Sequence, residues 1–147
     1  MRGSIRTFSS GYDLLVTNER LTFTCTRDSA TGARRLIKSF GATRLAEPNI
    51  SDLAVAVGEA LVNSLEYGLA TEIDVCCSYD STSLVVELCD NGQGVDHPKS
   101  VDSEALSRTP ARTLGYGFRI MRELADEVTY SKGGRQVILK KRYNSSS

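Results

Sequence analysis

Between Ser51 and Gly68 the chain reads SDLAVAVGEALVNSLEYG. At about 100° per residue, Leu53, Val57, Ala60, Leu61, Ser64 and Leu65 fall on one side of a helix, the stripe that faces a core. Asp52, Glu59, Asn63 and Tyr67 fall together on another side. A carboxylate, a carboxamide and a phenol at Glu59, Asn63 and Tyr67 stand one above the next, each about 6 Å along the axis from the last. Ser51 is placed to cap this helix, Asp52 to meet the positive end of its dipole, and Gly68 to close it.

Other stretches show equally clear periods. Arg20 to Thr26 alternates Leu21, Phe23 and Cys25 with threonines, the pattern of a half-buried strand. Ala33 to Phe40 sets Leu36, Ile37 and Phe40 at helical spacing, with Gly41 as its stop. Ile73 to Tyr79 and Ser83 to Cys89 form a valine-rich hairpin across a short polar link. From Val95 to Thr113 no apolar period survives, and Pro98 and Pro110 interrupt the run, which predicts a long functional loop. Phe118 to Ala125 is helical with Phe118, Met121, Leu124 and Ala125 inward. Glu127 to Ser131 and Gln136 to Arg142 make a second hairpin across Lys132, Gly133, Gly134 and Arg135. Residues 1–14 read as a flexible arm with a weak strand at Ile5 to Phe8, and residues 143–147 as a frayed tail. The order predicts a single α+β domain over residues 1–147, a two-layer sandwich whose mixed, mostly antiparallel sheet carries its helices on one face.

Composition narrows the class. The 147 residues are 40% hydrophobic and 24% charged, ordinary for a soluble globular protein, and no apolar run reaches the length of a membrane span. Eighteen basic and 18 acidic side chains leave zero net charge, so the broad basic footprint of a nucleic-acid binder is missing. MRGSIRTFSS lacks the apolar core of a secretory signal, which predicts a cytoplasmic protein with no membrane partner. Cys25, Cys76, Cys77 and Cys89 form no C-x-x-C pair and are accompanied by a single histidine, His97, a pattern that predicts reduced thiols packed as small hydrophobes.

Two glycine-rich elements bear on chemistry. Asp90-Asn91-Gly92-Gln93-Gly94 follows a strand, where a carboxylate can accept from an exocyclic amine and Gly92 and Gly94 let backbone approach a planar ring. Leu114-Gly115-Tyr116-Gly117-Phe118 opens a helix, and exposed amides there suit phosphate oxygens. Singly, each element describes a turn, a loop-to-helix junction or a solvated face. In this order, E-x-x-x-N on a helix, D-x-G-x-G after a strand, a long loop, G-x-G before a helix and a closing G-G hairpin resemble the Bergerat-fold ATP-binding domain of gyrase, chaperone, histidine-kinase and mismatch-repair ATPases. The likeness is strongest to its small bacterial branch, the anti-sigma-factor serine kinases. EALVNSLEYG is similar to that branch's E-A-x-x-N-x-x-x-H-G box, and GYGFRIMRELADEVTYSKGGRQVILKKR to its C-terminal half, so that the resemblance covers about residues 15–143.

The resemblance implies roles. Glu59 is the base that takes the proton of an attacking hydroxyl, and Asn63 ligates Mg²⁺ bridging the ATP phosphates. Asp90 binds the adenine amine, with Gly92 and Gly94 shaping that wall. Gly115, Tyr116, Gly117 and Phe118 bring the backbone to the phosphates. Residues 95–114 form an ATP lid whose Arg112, or else Arg108, reaches the γ-phosphate. Tyr67 stands where the family has histidine, and Arg135 where a threonine often follows the paired glycines. A serine-protein kinase of a partner-switching pathway is implied. It acts on a STAS-domain anti-anti-sigma protein, sequesters a sigma factor or other regulator, and works as a homodimer. The alternative is an ATP-gated partner-binding switch with little or no transfer.

Overall fold

Alternation along the strands gives the sheet one apolar face. The structure is a computed structural model that describes residues 4–7, 13–17, 19–95 and 114–143. In β3 (Arg20–Cys25), Leu21, Phe23 and Cys25 are buried, and in β4 (Ile73–Tyr79) so are Ile73, Val75 and Cys77. Leu84, Val86 and Leu88 of β5 (Ser83–Asp90) and Val137 and Leu139 of β7 (Gln136–Arg142) complete this face. A period of two sends the intervening residues to the other side. There Thr24 donates to Asp74 at 2.6 Å, and Cys76 and Cys89 are half-buried, whereas Cys25 and Cys77 lie in the core. Burial, reinforced by the charge of Asp74, pushes the Cys25 thiol up to about 11.

Two strands precede β3: β1 (Ser4–Thr7) and β2 (Asp13–Val16). With β6 (Glu127–Ser131), seven strands run in the order β1-β2-β3-β4-β5-β7-β6. Every neighbouring pair is antiparallel, so no parallel pairing occurs among the described residues. Within the stretch expected as a flexible arm, β1 and part of β2 are paired strands at the sheet edge.

The apolar face is covered by α1 (Ala33–Gly41), α2 (Asn49–Val62) and α3 (Leu114–Leu124). Ile37, Leu53, Val57 and Met121 join Phe23, Val75, Val86 and Leu139 in one continuous cluster. Each such side chain contributes about 1.5–3 kcal/mol by leaving water. The second layer is held by Lys141 as well, an inward residue of β7 with only 3% exposure. Its Nζ donates to the Leu124 carbonyl at the end of α3 at 2.9 Å and stands 3.9 Å from Asp52 Oδ2 in the first turn of α2. The ammonium thus meets the negative end of one helix and an acidic group at the start of another.

Two local expectations are corrected. The central helix starts at Asn49, and Ser51 does not cap it: Pro48 holds the N-cap position, and the Ser51 hydroxyl donates to the Glu47 carboxylate instead. Beyond Val62 the helix widens into a π turn, Asn63–Tyr67, in which the Gly68 N–H reaches the Asn63 carbonyl at 2.9 Å. Gly41 is the last residue of α1, as expected, and it is also buried against α2 and β5. A Cβ there would stand 2.3 Å from Ile50 Cδ1 and 2.7 Å from Leu84 Cδ2.

In an open helix, glycine to alanine stabilises by about 1 kcal/mol. At position 41 overpacking should reverse the sign, and Gly41→Ala is expected to lose about 1–3 kcal/mol in urea unfolding. An unchanged or raised midpoint would show that Ile50 and Leu84 yield without cost.

Candidate functional site

Glu59 and Asn63 sit one turn apart where α2 passes into the π turn, and both are buried, at 8% and 2% exposure. Both side chains turn toward α3. A Cβ on Gly117 would stand 2.9 Å from Glu59 Oε1 and 3.5 Å from Asn63 Oδ1, so the missing side chain lets the head of α3 lie against these two oxygens. Because α3 begins at Leu114, Gly115 and Gly117 lie inside its first turns rather than in a preceding loop. Tyr116 is 40% exposed. Phe118 sends its ring into the core, 5.4 Å from the Tyr130 ring, so a ligand contact from this residue is left to its backbone.

Asn63 carries an unresolved cost. Its Nδ2 is enclosed and has no hydrogen-bond partner among the described residues. Leaving such a group unpaired costs about 1–3 kcal/mol, and π turns often mark functional positions. Beside it lies Tyr130 of β6, a residue that sequence reading passed over. Burial pushes the Tyr130 phenol up and the charge of Asp90 raises it further, while its ring packs on Phe118 of α3. Tyr130 therefore links the helix side of the site to the strand side. Only its inward parity with Val128 in the alternation of β6 hinted at this place.

The strand side is built by close backbone contact. Asp90 ends β5, and its Oδ1 accepts from the Gly92 N–H at 2.8 Å. A Cβ on Gly92 would stand 2.3 Å from the Gly68 carbonyl, which itself accepts from the Gln93 N–H at 2.8 Å. Gly94, at φ 84°, packs on the Gly133 carbonyl, and Gly134, at φ 86°, on Val95. Asn91 contributes a brace that the motif alone did not reveal: its Oδ1 accepts from the Thr71 and Glu72 N–H groups at 2.9 and 3.0 Å. Tyr67, the third polar rung, comes out 37% exposed at the end of the π turn. Arg108, Arg112 and residues 96–113 of the expected lid lie outside the described residues, while Val95 is buried against Gly134.

Glu59 also borders a second space. A cleft of about 440 Å³ between α1 and α2 is lined by Arg27, Arg34, Gly58, Glu59, Leu61 and Leu65 among others. Arg27 is held to Glu66 at 2.6 Å and to the Leu65 carbonyl at 3.2 Å. A Cβ on Gly58 would be 2.8 Å from Arg34 Cδ, so the Arg34 stem crosses the helix there. The oxygens of Glu59 and Asn63 beneath the head of a helix suit phosphate bound with a hard cation, which prefers oxygen ligands. Asp90, whose second oxygen makes no hydrogen bond among the described residues, suits an exocyclic amine.

Gly117→Ala tests this cradle. The atom it would meet is the tip of a flexible side chain, so the variant should keep its melting temperature. Calorimetric titration with ATP and Mg²⁺ should show binding weakened about tenfold or more, 1.4 kcal/mol or above. Equal affinity would mean that nothing binds between α3 and these oxygens.

A family described as the histidine kinase-like ATPase domain matches residues 23–141. Anti-sigma F factors of Clostridium botulinum strains Eklund 17B (Type B) and Alaska E43 (Type E3) are each 30% identical over 107 residues, covering 65% of this chain and 72% of theirs. An anti-sigma F factor of Clostridium beijerinckii is 29% identical over 103 residues with the same coverage. With the family match running from β3 into β7, through every element that bears on Glu59, Asn63 and Asp90, the chain belongs to the histidine kinase-like ATPase domain family.

Proposed function

We propose that this protein is an anti-sigma factor that is also a serine-protein kinase, transferring the γ-phosphoryl group of ATP to a serine of a STAS-domain anti-anti-sigma protein and binding a sigma factor in the alternative state. The observation that carries this reading is the position of Glu59. Its carboxylate faces Gly117 at the head of α3 and also lines the cleft flanked by Arg27 and Arg34, so one proton acceptor borders both a phosphate side and a side open to a protein substrate. The names of the 30%-identical relatives support the anti-sigma part. The homodimer is carried over from the family resemblance.

In this mechanism Asp90 holds the base and the head of α3 holds the phosphates. Asn63 Oδ1 is the group that would hold Mg²⁺, which supplies charge neutralisation along the phosphates when bound. The acceptor serine enters by the cleft and gives its hydroxyl proton to Glu59 as its oxygen bonds to the γ-phosphorus. The bond from that phosphorus to the β,γ-bridging oxygen breaks, and ADP leaves. With Glu59 only 8% exposed, the serine that fills the cleft displaces water from the proton path.

A second reading, an ATP-gated switch with little transfer, is favoured by Tyr67. The family's histidine position is filled here by a partly exposed phenol at the end of a π turn. Incubation with Mg²⁺, γ-labelled ATP and a STAS-domain protein from the same organism separates the two. Labelled serine is expected, with transfer by Glu59→Gln lower by about 10²–10⁴-fold and ATP affinity retained. Undiminished transfer by that variant sinks Glu59 as the base, and an ATP-dependent complex without label supports the switch.

A further inference from the structure

Arg135 stands where threonine is common in the resembled family, and the sheet register says what it faces. Cys89 of β5 lies across from Gln136 of β7, and the next step sets Asp90 across from Arg135, closed by the Asp90 N–H donating to the Arg135 carbonyl at 2.9 Å. Facing residues carry their Cβ atoms about 5 Å apart, well within reach of an arginine. Yet the two opposite charges do not pair. Asp90 keeps Oδ1 on the Gly92 N–H, and Arg135 bends back so that its Nε donates to the Lys132 carbonyl at 3.1 Å. Lys132 offers that carbonyl from a left-handed backbone, φ 54°, which residues with side chains seldom adopt. The Arg135 stem covers Gly94, where a Cβ would stand 3.4 Å from its Cγ. Among the described residues, the second Asp90 oxygen and both Arg135 Nη groups make no hydrogen bond or ion pair.

An acceptor and a forked donor with spare capacity thus share the wall made by Gly92 and Gly94. We propose that Arg135 is a base-recognition residue that lets this nucleotide site take 6-oxopurines as well as adenine. The inference rests on the nucleotide-site reading given above. Adenine offers its 6-amino group to Asp90 and a ring nitrogen to the guanidinium. Guanine offers N1–H and its 2-amino group to the carboxylate and O6 to the guanidinium. A lone carboxylate repels O6, and the cation across from it removes that repulsion.

The test is displacement of a fluorescent ADP analogue by ATP and by GTP, with Mg²⁺, from the unchanged protein, Arg135→Thr and Asp90→Asn. GTP should compete within about tenfold of ATP in the unchanged protein, and Arg135→Thr should weaken GTP about tenfold or more while moving ATP less than about threefold. An unchanged GTP-to-ATP ratio in Arg135→Thr, or GTP about 10³-fold weaker than ATP in the unchanged protein, overturns the role of Arg135. Asp90→Asn separates the layers. Loss of both nucleotides supports the site, whereas full affinity there, or no binding by the unchanged protein, overturns the nucleotide-site reading and this inference with it.

Discussion

Backbone packed directly on backbone is the constraint on which the site depends. Gly92 lies against the Gly68 carbonyl and Ala70, Gly94 against Gly133, and Gly134 against Val95. At each contact a side chain would occupy the place of a carbonyl, so the end of the central helix, the end of β5 and the β6–β7 turn can approach only through glycine. The Asn91 brace and the Gln93 to Gly68 hydrogen bond then fix their relative height. Asp90 inherits its position from this interlock.

Across from that rigid wall, the helix side carries polar groups that the fold alone would not favour. A carboxylate and a carboxamide are buried under α3, and the Asn63 Nδ2 has no hydrogen-bond partner among the described residues. A well-packed apolar pair would serve stability better. The open capacity of the Asn63 amide fits a surface completed by something outside the protein, and Asn63 is the residue that opens the π turn.

Much of this was legible in the order of residues, because it rests on periodicity. The stripe from Leu53 to Leu65, the alternation in β3, β4, β5 and β7, and both hairpins follow from patterns that local geometry reads directly. The glycine elements around Asp90 and Gly117 were visible as chemistry, though each had a plain structural alternative until the fold brought them to one place. What was not legible is tertiary. DLLV lacks clean alternation, and its place as a strand follows from its antiparallel pairing with β1 and β3. Gly41 is the stop it looked like, but the close approach of Ile50 and Leu84 there has no local signature. Ser51 looked like a cap because nothing in its neighbours announces that the helix already begins at Asn49. The places of Tyr130 and Arg135 depend on strand register.

The buried Lys141 gives α3 the character of a lever. Its ammonium grips the helix at Leu124, while Gly117 is the working end, about 10 Å away along the axis at 1.5 Å per residue. A tilt of only about 5° about that grip shifts the working end by roughly 1 Å over this length. Displacement on that scale can change the rate of a positioned reaction about 10²-fold. The same ammonium also stands near Asp52 on the opposing helix. The ammonium is therefore shared by the helix that carries Gly117 and the helix that carries Glu59, and the alignment of one over the other depends on it.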